Sequence, residues 1–255
     1  PRILERAARL SSHTGALPME IPPSLRELFQ GGHEKYAIVD AHQMRHSAWG
    51  SPEGIMLIDS AGLRSAAAQG LKGPHGLAPV TRACKLHTSP ERLYLSASAD
   101  STGQARLLVA ILKVGEKNLY HWSEQGEVRS LVDMPCVLDF YVEESFQRQG
   151  AGRALFDAML AAERTTPEQL AYDRPSPKLL RFMGKHFRLT KYAPQQNNFV
   201  LFDAFWASEP HPQPAKQSAS QYDTISMRPL TARGAHPPRR ALAHGNSKYG
   251  RPAAS

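Results

Sequence analysis

Between Cys136 and Glu163 the hydrophobic pattern of the chain changes period. CVLDFYV (136–142) is a short apolar, β-branched and aromatic run of strand type, whereas Leu155, Ala158, Met159 and Ala162 recur at helical spacing in GRALFDAMLAAER. The joint is QRQGAG (147–152), a loop with two glycines. Glycine has no Cβ, so successive amide N–H groups can turn toward one spot and a bulky anion can approach the backbone. A helix opening near Gly152 adds unpaired N–H groups and the positive end of its dipole. Arg148 and Arg153 supply charge at the rim, so a pyrophosphate suits the place. The loop is neither a Gly-Lys-Ser/Thr phosphate loop nor the dinucleotide G-x-G-x-x-G. Taken alone, it also reads as a strand-to-helix turn without a ligand.

The rest of the chain predicts a mixed α/β fold (α+β type) with a mostly antiparallel sheet flanked by helices. IPPSLRELFQGGHEKYAIVD (21–40) suggests a short helix and a strand. Ile55 to Leu71 reads as a helix, with Ile55, Leu57, Ile58, Gly62 and Leu63 loosely on one side. Strands are predicted at 92–99, 104–115, 117–122 and 136–142, with STG (101–103) and GEK (115–117) as hairpin turns. After the helix, QLAY (169–172) returns as a strand. SPKLLRFMGKHF follows as a helix with Ser176 at the N-cap and Pro177 at the first helical position, where a missing N–H costs nothing. NNFVLFDAFW (197–206) is predicted as a closing strand.

The formal charge of +8 invites a nucleic-acid reading, so its distribution matters. From Ser208 to Ser255 seven Lys/Arg face only Glu209 and Asp223, a net of +5. That segment is rich in Pro, Ser, Ala and Gly and has too little apolar surface to offset its ordering entropy. Residues 209–255 are therefore expected to be disordered, their charge suited to loose attraction to an acidic partner. No nucleic-acid recognition motif is present. No run reaches the ~20 apolar residues that span a bilayer, and PRILERAARL is too charged for a signal peptide. Two cysteines, Cys84 and Cys136, make a poor disulfide framework and suit a reduced intracellular setting. The expected organisation is an extension (1–20), a catalytic domain (21–208) and the tail (209–255).

The order of antiparallel strands, Q-x-x-G-x-G loop, helix, strand and helix resembles the acetyl-CoA-binding core of GNAT N-acetyltransferases. CVLDFYVEESFQRQGAGRALF, QLAYDRPSPKLLRFMGKHF and PQQNNFVLFDAF resemble the hallmark segments of the α-tubulin N-acetyltransferases within them, as do IDSAGLRSAAAQGL, APVT and ILKVGEKNLY. The likeness covers roughly 21–206. The loop KGPHGLAP (72–79) is longer than that family's usual connection, the strand pair 92–108 diverges, and residues 1–20 have no counterpart.

The resemblance implies acetyl-CoA as co-substrate, with no metal, held by two segments. The first is Phe140, Tyr141, Val142, Glu143, Glu144, Ser145, Phe146, Gln147, Arg148, Gln149, Gly150, Ala151, Gly152 and Arg153. The second is Ser176, Pro177, Lys178, Leu179, Leu180, Arg181, Phe182, Met183, Gly184 and Lys185. Lys178 and Lys185 would lie near the adenosine phosphate, and Leu179, Phe182 and Met183 would form apolar wall or core. A lysine ammonium has a pKa of about 10.4, so transfer to it needs a proton acceptor. Asp173 in DRPS matches a family residue implicated in catalysis, Cys136 the family's active-site cysteine, and Gln69 a glutamine the family needs. Read alone, Asp173 pairs with Arg174 or caps a turn, and Cys136 is a small core residue. Asp139 reads as a hydrogen-bonded structural acid. Asn198 and Phe199 are expected on the substrate side, with strand packing the competing reading for Phe199. The implied activity is acetyl transfer to a lumenal lysine of α-tubulin within a ternary complex. The implied protein is monomeric and cytoplasmic, acting on microtubules, including those of an axoneme, without membrane or nucleic-acid partners. Two rivals are an acetyltransferase of the same fold with another protein or amine substrate, and a non-catalytic microtubule-associated scaffold.

Overall fold

The computed structural model describes residues 18–207 apart from 33, 72–75 and 124–125. The expectations for residues 1–17, for the first half of the 72–79 loop and for the tail from 208 onward lie outside the described residues.

A six-stranded sheet runs in chain order. Its strands are β1 (Glu34–Val39), β2 (Arg92–Ala99), β3 (Ala105–Trp122), β4 (Val128–Val142), β5 (Ala171–Asp173) and β6 (Phe199–Val200). The first four form an antiparallel meander, β5 joins β4 in parallel, and β6 pairs antiparallel with β5. The helices are α1 (Pro23–Arg26), α2 (Ala41–His46), α3 (Pro52–Ala68), α4 (Ala83–Thr88), α5 (Ala151–Glu163), α6 (Pro177–Phe187) and α7 (Ala204–Ala207).

Alternation along the strands sends side chains to two faces, and each face has its own core. On one, Leu155, Phe156 and Met159 of α5 and Leu179 and Met183 of α6 pack on Leu112, Val114, Val137 and Tyr172. On the other, Leu57, Ile58 and Ala61 of α3 join Ile21, Leu25, Trp49 and Leu86 against Leu93, Leu95 and Ile111. A third cluster gathers Leu131, Met134, Cys136, Ala171, Phe199, Leu201 and Phe205 near the far end of β4.

Four expectations need correction. The GEK triplet is no turn: β3 runs through it to Trp122, and β4 begins at Val128. Gly115 is buried inside the strand, and the charges of Glu116 and Lys117 decorate a ribbon that continues past the end of β2, where Lys117 reaches Glu91 at 3.7 Å. The strand before the glycine loop is twice as long as its apolar run, beginning at Val128. The segment 197–206 is a strand only at Phe199–Val200. Phe202 and Phe205, three apart, both turn inward, and the backbone coils into α7. In α3 the inward stripe is Leu57, Ile58, Ala61, Gly62, Ser65 and Ala66, while Ile55 and Leu63 face outward.

Candidate active site

The strand, loop and helix follow one another as the sequence suggests. Gly150 is the N-cap of α5, at φ +92°, and offers no side-chain cap, so the first-turn N–H groups are left for another acceptor. A Cβ at Gly150 would meet nothing within 4 Å; the left-handed backbone, not crowding, is what selects glycine there. Gly152 is the reverse case. A Cβ there would lie 3.0 Å from Cγ2 of Val142 and 3.2 Å from the Phe140 ring, so the helix start is pressed directly onto the end of β4. Gln147 folds back to donate to the Val142 carbonyl at 2.9 Å, and Gln149 donates to Ser145 O at 2.6 Å. These two glutamines shape the loop.

Beside the loop, β4 loses its neighbour. It pairs with β5 only at Cys136↔Ala171 and Val137↔Tyr172, while on its other side β3 stays paired as far as Val142. From Leu138 onward one backbone edge of β4 therefore faces a groove of about 430 Å³. Of the expected cofactor residues, Phe140, Tyr141, Val142, Gln147, Arg148, Gly150, Gly152 and Arg153 line it, as do Ser176, Lys178, Leu179, Arg181, Phe182 and Lys185. Glu143, Glu144, Ser145, Phe146, Gln149, Ala151, Pro177, Leu180, Met183 and Gly184 do not. Phe146 and Met183 are core residues, and the Glu143 carboxylate receives a two-toothed contact from Arg64 at 2.9 and 3.0 Å. Gln69, Ala68 and His186 complete the lining, and the last two were not anticipated from sequence.

The groove is electropositive. Arg153 is occupied by Asp157 (2.7 Å), by the His186 carbonyl (2.8 Å) and by the Phe187 ring, which ties α5 to α6. Arg148, Lys178, Arg181 and Lys185 form no ion pair among the described residues. Burial, together with the Lys185 and Arg153 charges, holds the His186 pKa below its ordinary value. Several uncompensated cations around a helix N-terminus suit a polyanionic ligand. The wall opposite is aromatic: Phe140 and Phe182 lie 5.1 Å apart, each against Phe156.

Two groups of candidate catalytic residues emerge. Cys136 on β4 and Asp173 at the end of β5 are neighbours across the short parallel pairing. Cys136 is fully buried; that burial, with the Asp173 carboxylate second, pushes its thiol up to about 12. Asp173 is paired with exposed Arg174 (3.0 Å). Its strand ends in a turn where Arg174 (φ 44°) and Asn198 (φ 58°) are both left-handed and joined by Arg174 N–H donating to Asn198 O. Phe199 is packed in the third cluster, 2% exposed, the strand packing that was the competing reading for it. Gln69, the C-cap of α3, lines the groove and donates to Ser65 Oγ at 3.0 Å. Asp139 lies beside it, accepting from Ser65 and Thr81, each at 2.6 Å. A register shift that leaves Leu138 unopposed in β4 puts Cys136 and Asp139, three residues apart, on one face. Ser65 was legible as the residue one helical turn before Gln69. Thr81 closes the APVT segment of the resemblance, but no spacing argument linked it to Asp139.

Among the described residues no group of three or more His, Cys, Asp or Glu side chains is placed to hold a metal ion, and no helix is long and apolar enough to cross a membrane.

The family described as GNAT acetyltransferase, Mec-17, matches residues 33–230. The chain is similar to curated α-tubulin N-acetyltransferases. That of Aedes aegypti is 48% identical over 155 residues, which is 61% of this chain and 54% of the relative. That of Tetrahymena thermophila is 44% identical over 153 residues, 60% of this chain and 35% of the relative. That of Phytophthora infestans is 42% identical over 160 residues, 59% of this chain and 88% of the relative. The matched part thus spans about a third to half of the first two relatives and most of the third.

Proposed function

The chain belongs to the Mec-17 family of GNAT acetyltransferases, and from that membership we propose that it transfers acetyl from acetyl-CoA to a lysine of α-tubulin. The observation that carries the reading is the groove between the unpaired edge of β4 and the capless start of α5. An acetyl-CoA molecule matches it part for part. The pyrophosphate meets the free N–H groups after Gly150, with Arg148 beside them. Lys178, Arg181 and Lys185 face the adenosine phosphate. The pantetheine amides can use the backbone edge of β4 from Leu138, flanked by Phe140 and Phe182. The thioester then lies where β4 and β5 part.

There the lysine nitrogen attacks the thioester carbonyl, the C–S bond breaks, and coenzyme A leaves as the thiolate. The amine must lose a proton first or as it attacks. Asp173, at the strand end and partly open to solvent, is the acceptor in this reading, directly or through a water. Cys136 suits neither that role nor a covalent relay: its sulfur is buried and its thiol is pushed up to about 12, and the thiolate is the nucleophilic form. This supports direct transfer within a ternary complex. The relatives' names support the substrate, and the proposal extends to a lumenal lysine, a monomeric enzyme and action on cytoplasmic and axonemal microtubules.

Labelled acetyl-CoA incubated with the protein and tubulin, followed by mass spectrometry, should place the label on one α-tubulin lysine. Label on other amines alone would favour a different acceptor, and no label at all would leave a scaffold. Asp173→Asn keeps size and removes charge. Its kcat should fall by roughly 10²–10⁴, the range of a positioned acid–base group, with little change in acetyl-CoA affinity. A near-normal kcat at neutral pH in the folded variant would move the proton acceptor elsewhere.

A further inference from the structure

The Gln69 side chain is an amide, and its two ends have opposite uses in a groove that must receive an ammonium. The carbonyl Oε1 accepts from it; the NH₂ end can only confront it donor to donor. Which end faces the groove is decided behind Gln69, by groups drawn from three distant parts of the chain.

Asp139 is buried in β4. As a carboxylate it only accepts, and it collects two hydroxyl protons: Ser65 Oγ donates to Oδ1 and Thr81 Oγ1 to Oδ2, both at 2.6 Å. Ser65, on α3, has one proton and has spent it on Asp139, so it shows Gln69 a lone pair. Thr81 arrives from the loop that crosses α3, where Val80 N–H donates to Gly62 O (3.2 Å). Behind the cluster Lys113, opposite Asp139 in register, donates to Val80 O and reaches Glu91 at 3.3 Å. Burial holds the Asp139 pKa above its ordinary value, and the two hydroxyls and the Lys113 charge oppose that rise and favour the carboxylate. The inner end of the Gln69 amide therefore meets only acceptors, Ser65 Oγ at 3.0 Å and Asp139 Oδ1 at 3.4 Å. Only the NH₂ end fits there, which leaves Oε1 toward the groove that Gln69 lines.

We propose that Asp139, acting through Ser65 with Thr81 behind it, is a positioning residue that holds Gln69 with Oε1 in the groove as an acceptor for the incoming lysine amine or its water. The proposal rests on the lysine acetyltransferase reading above. It assigns no contact between Asp139 and substrate. Asp139→Asn would keep the volume but add a donor: its NH₂ can bond Ser65 or Thr81, the Ser65 proton becomes free to point at Gln69, and the amide can invert. Ser65→Ala removes the relay while leaving the carboxylate.

The test has two readouts on the intact chain. The first is the Gln69 side-chain amide in ¹⁵N–¹H spectra of glutamine-labelled protein, identified by its loss in Gln69→Ala. Its exchange with water should be slow in the wild type and faster by roughly tenfold, the value of one lost hydrogen bond, in Ser65→Ala and Asp139→Asn. The second is steady-state kinetics with acetyl-CoA and tubulin. Each variant should lose roughly 10- to 100-fold in kcat, as expected for a misplaced group, with an unchanged acetyl-CoA dissociation constant. Because all act through one amide, Ser65→Ala/Gln69→Ala should be no slower than Gln69→Ala. Multiplying losses, or kcat losses with an undisturbed Gln69 amide, would overturn the positioning role. Should Asp139→Asn fail to fold, Ser65→Ala carries both readouts. A wild type that orders the amide but acetylates no tubulin removes the substrate reading and leaves the positioning standing. A wild type that acetylates tubulin while its Gln69 amide exchanges like an exposed one overturns the positioning alone.

Discussion

Gly152→Ala separates a glycine kept for packing from one kept for backbone freedom. The residue is helical, so alanine there gains at most about 1 kcal/mol of helix propensity. Against that, its Cβ would stand 3.0 Å from Val142 Cγ2 and 3.2 Å from Phe140 Cζ. Neither neighbour can move freely. Val142 is β-branched, and its carbonyl is clipped by Gln147. The Phe140 ring is wedged against Phe156 at 5.8 Å and Phe182 at 5.1 Å. Overpacking of this kind costs about 1–3 kcal/mol, which leaves a net loss of about 1 kcal/mol and a Tm lower by about 2–4 °C for a domain of this size. The strain is released by pushing the start of α5 away from β4, the two walls of the groove, so acetyl-CoA should bind roughly 5- to 10-fold more weakly, about 1 kcal/mol. Thermal unfolding followed by circular dichroism and a calorimetric titration measure both. In a Val142→Ala background, with the tightest contact gone, the Tm penalty should shrink. A Gly152→Ala protein with a raised Tm and unaltered acetyl-CoA affinity would refute the close-approach reasoning.

Two further outcomes concern titration. Cys136, with its thiol pushed up to about 12 by burial, keeps its proton in the fold where the unfolded chain releases it near 9; folding stability should fall by about 1.4 kcal/mol per pH unit above 9, and Cys136→Ala should flatten that slope in alkaline denaturation curves. Thiol reagents should correspondingly label exposed Cys84 and spare Cys136. His121, buried against Trp206 and with no hydrogen-bond partner for Nδ1 among the described residues, has its pKa held down by burial and by Arg129, with Asp203 opposing. The unfolded chain therefore takes up the proton first, stability is intact above about pH 6.5 and declines below it, and His121→Phe should abolish that part of the acid limb in urea titrations.

What was legible in the sequence was local. The change from strand to helix period across QRQGAG, the Ser176–Pro177 helix start and the STG turn each depend on a few adjacent residues, and each stands where the pattern put it. The left-handed N-cap at Gly150 was likewise written in the loop's glycines. The tertiary structure decided matters that no short window contains. Whether GEK turns or continues depends on β4 accepting β3 as a partner through Trp122, and whether FDAF extends or coils depends on where Phe202 and Phe205 find a core. The one-residue shift at Leu138 appears only when β4 is set against β3, yet it decides that Cys136 and Asp139 share a face. Ser65, Gln69, Thr81 and Asp139 are 58 to 74 positions apart across their hydrogen bonds to the carboxylate. Individually they are ordinary polar residues. Burial makes them a unit, because a desolvated carboxylate must be supplied with donors from whatever chain the fold brings past it.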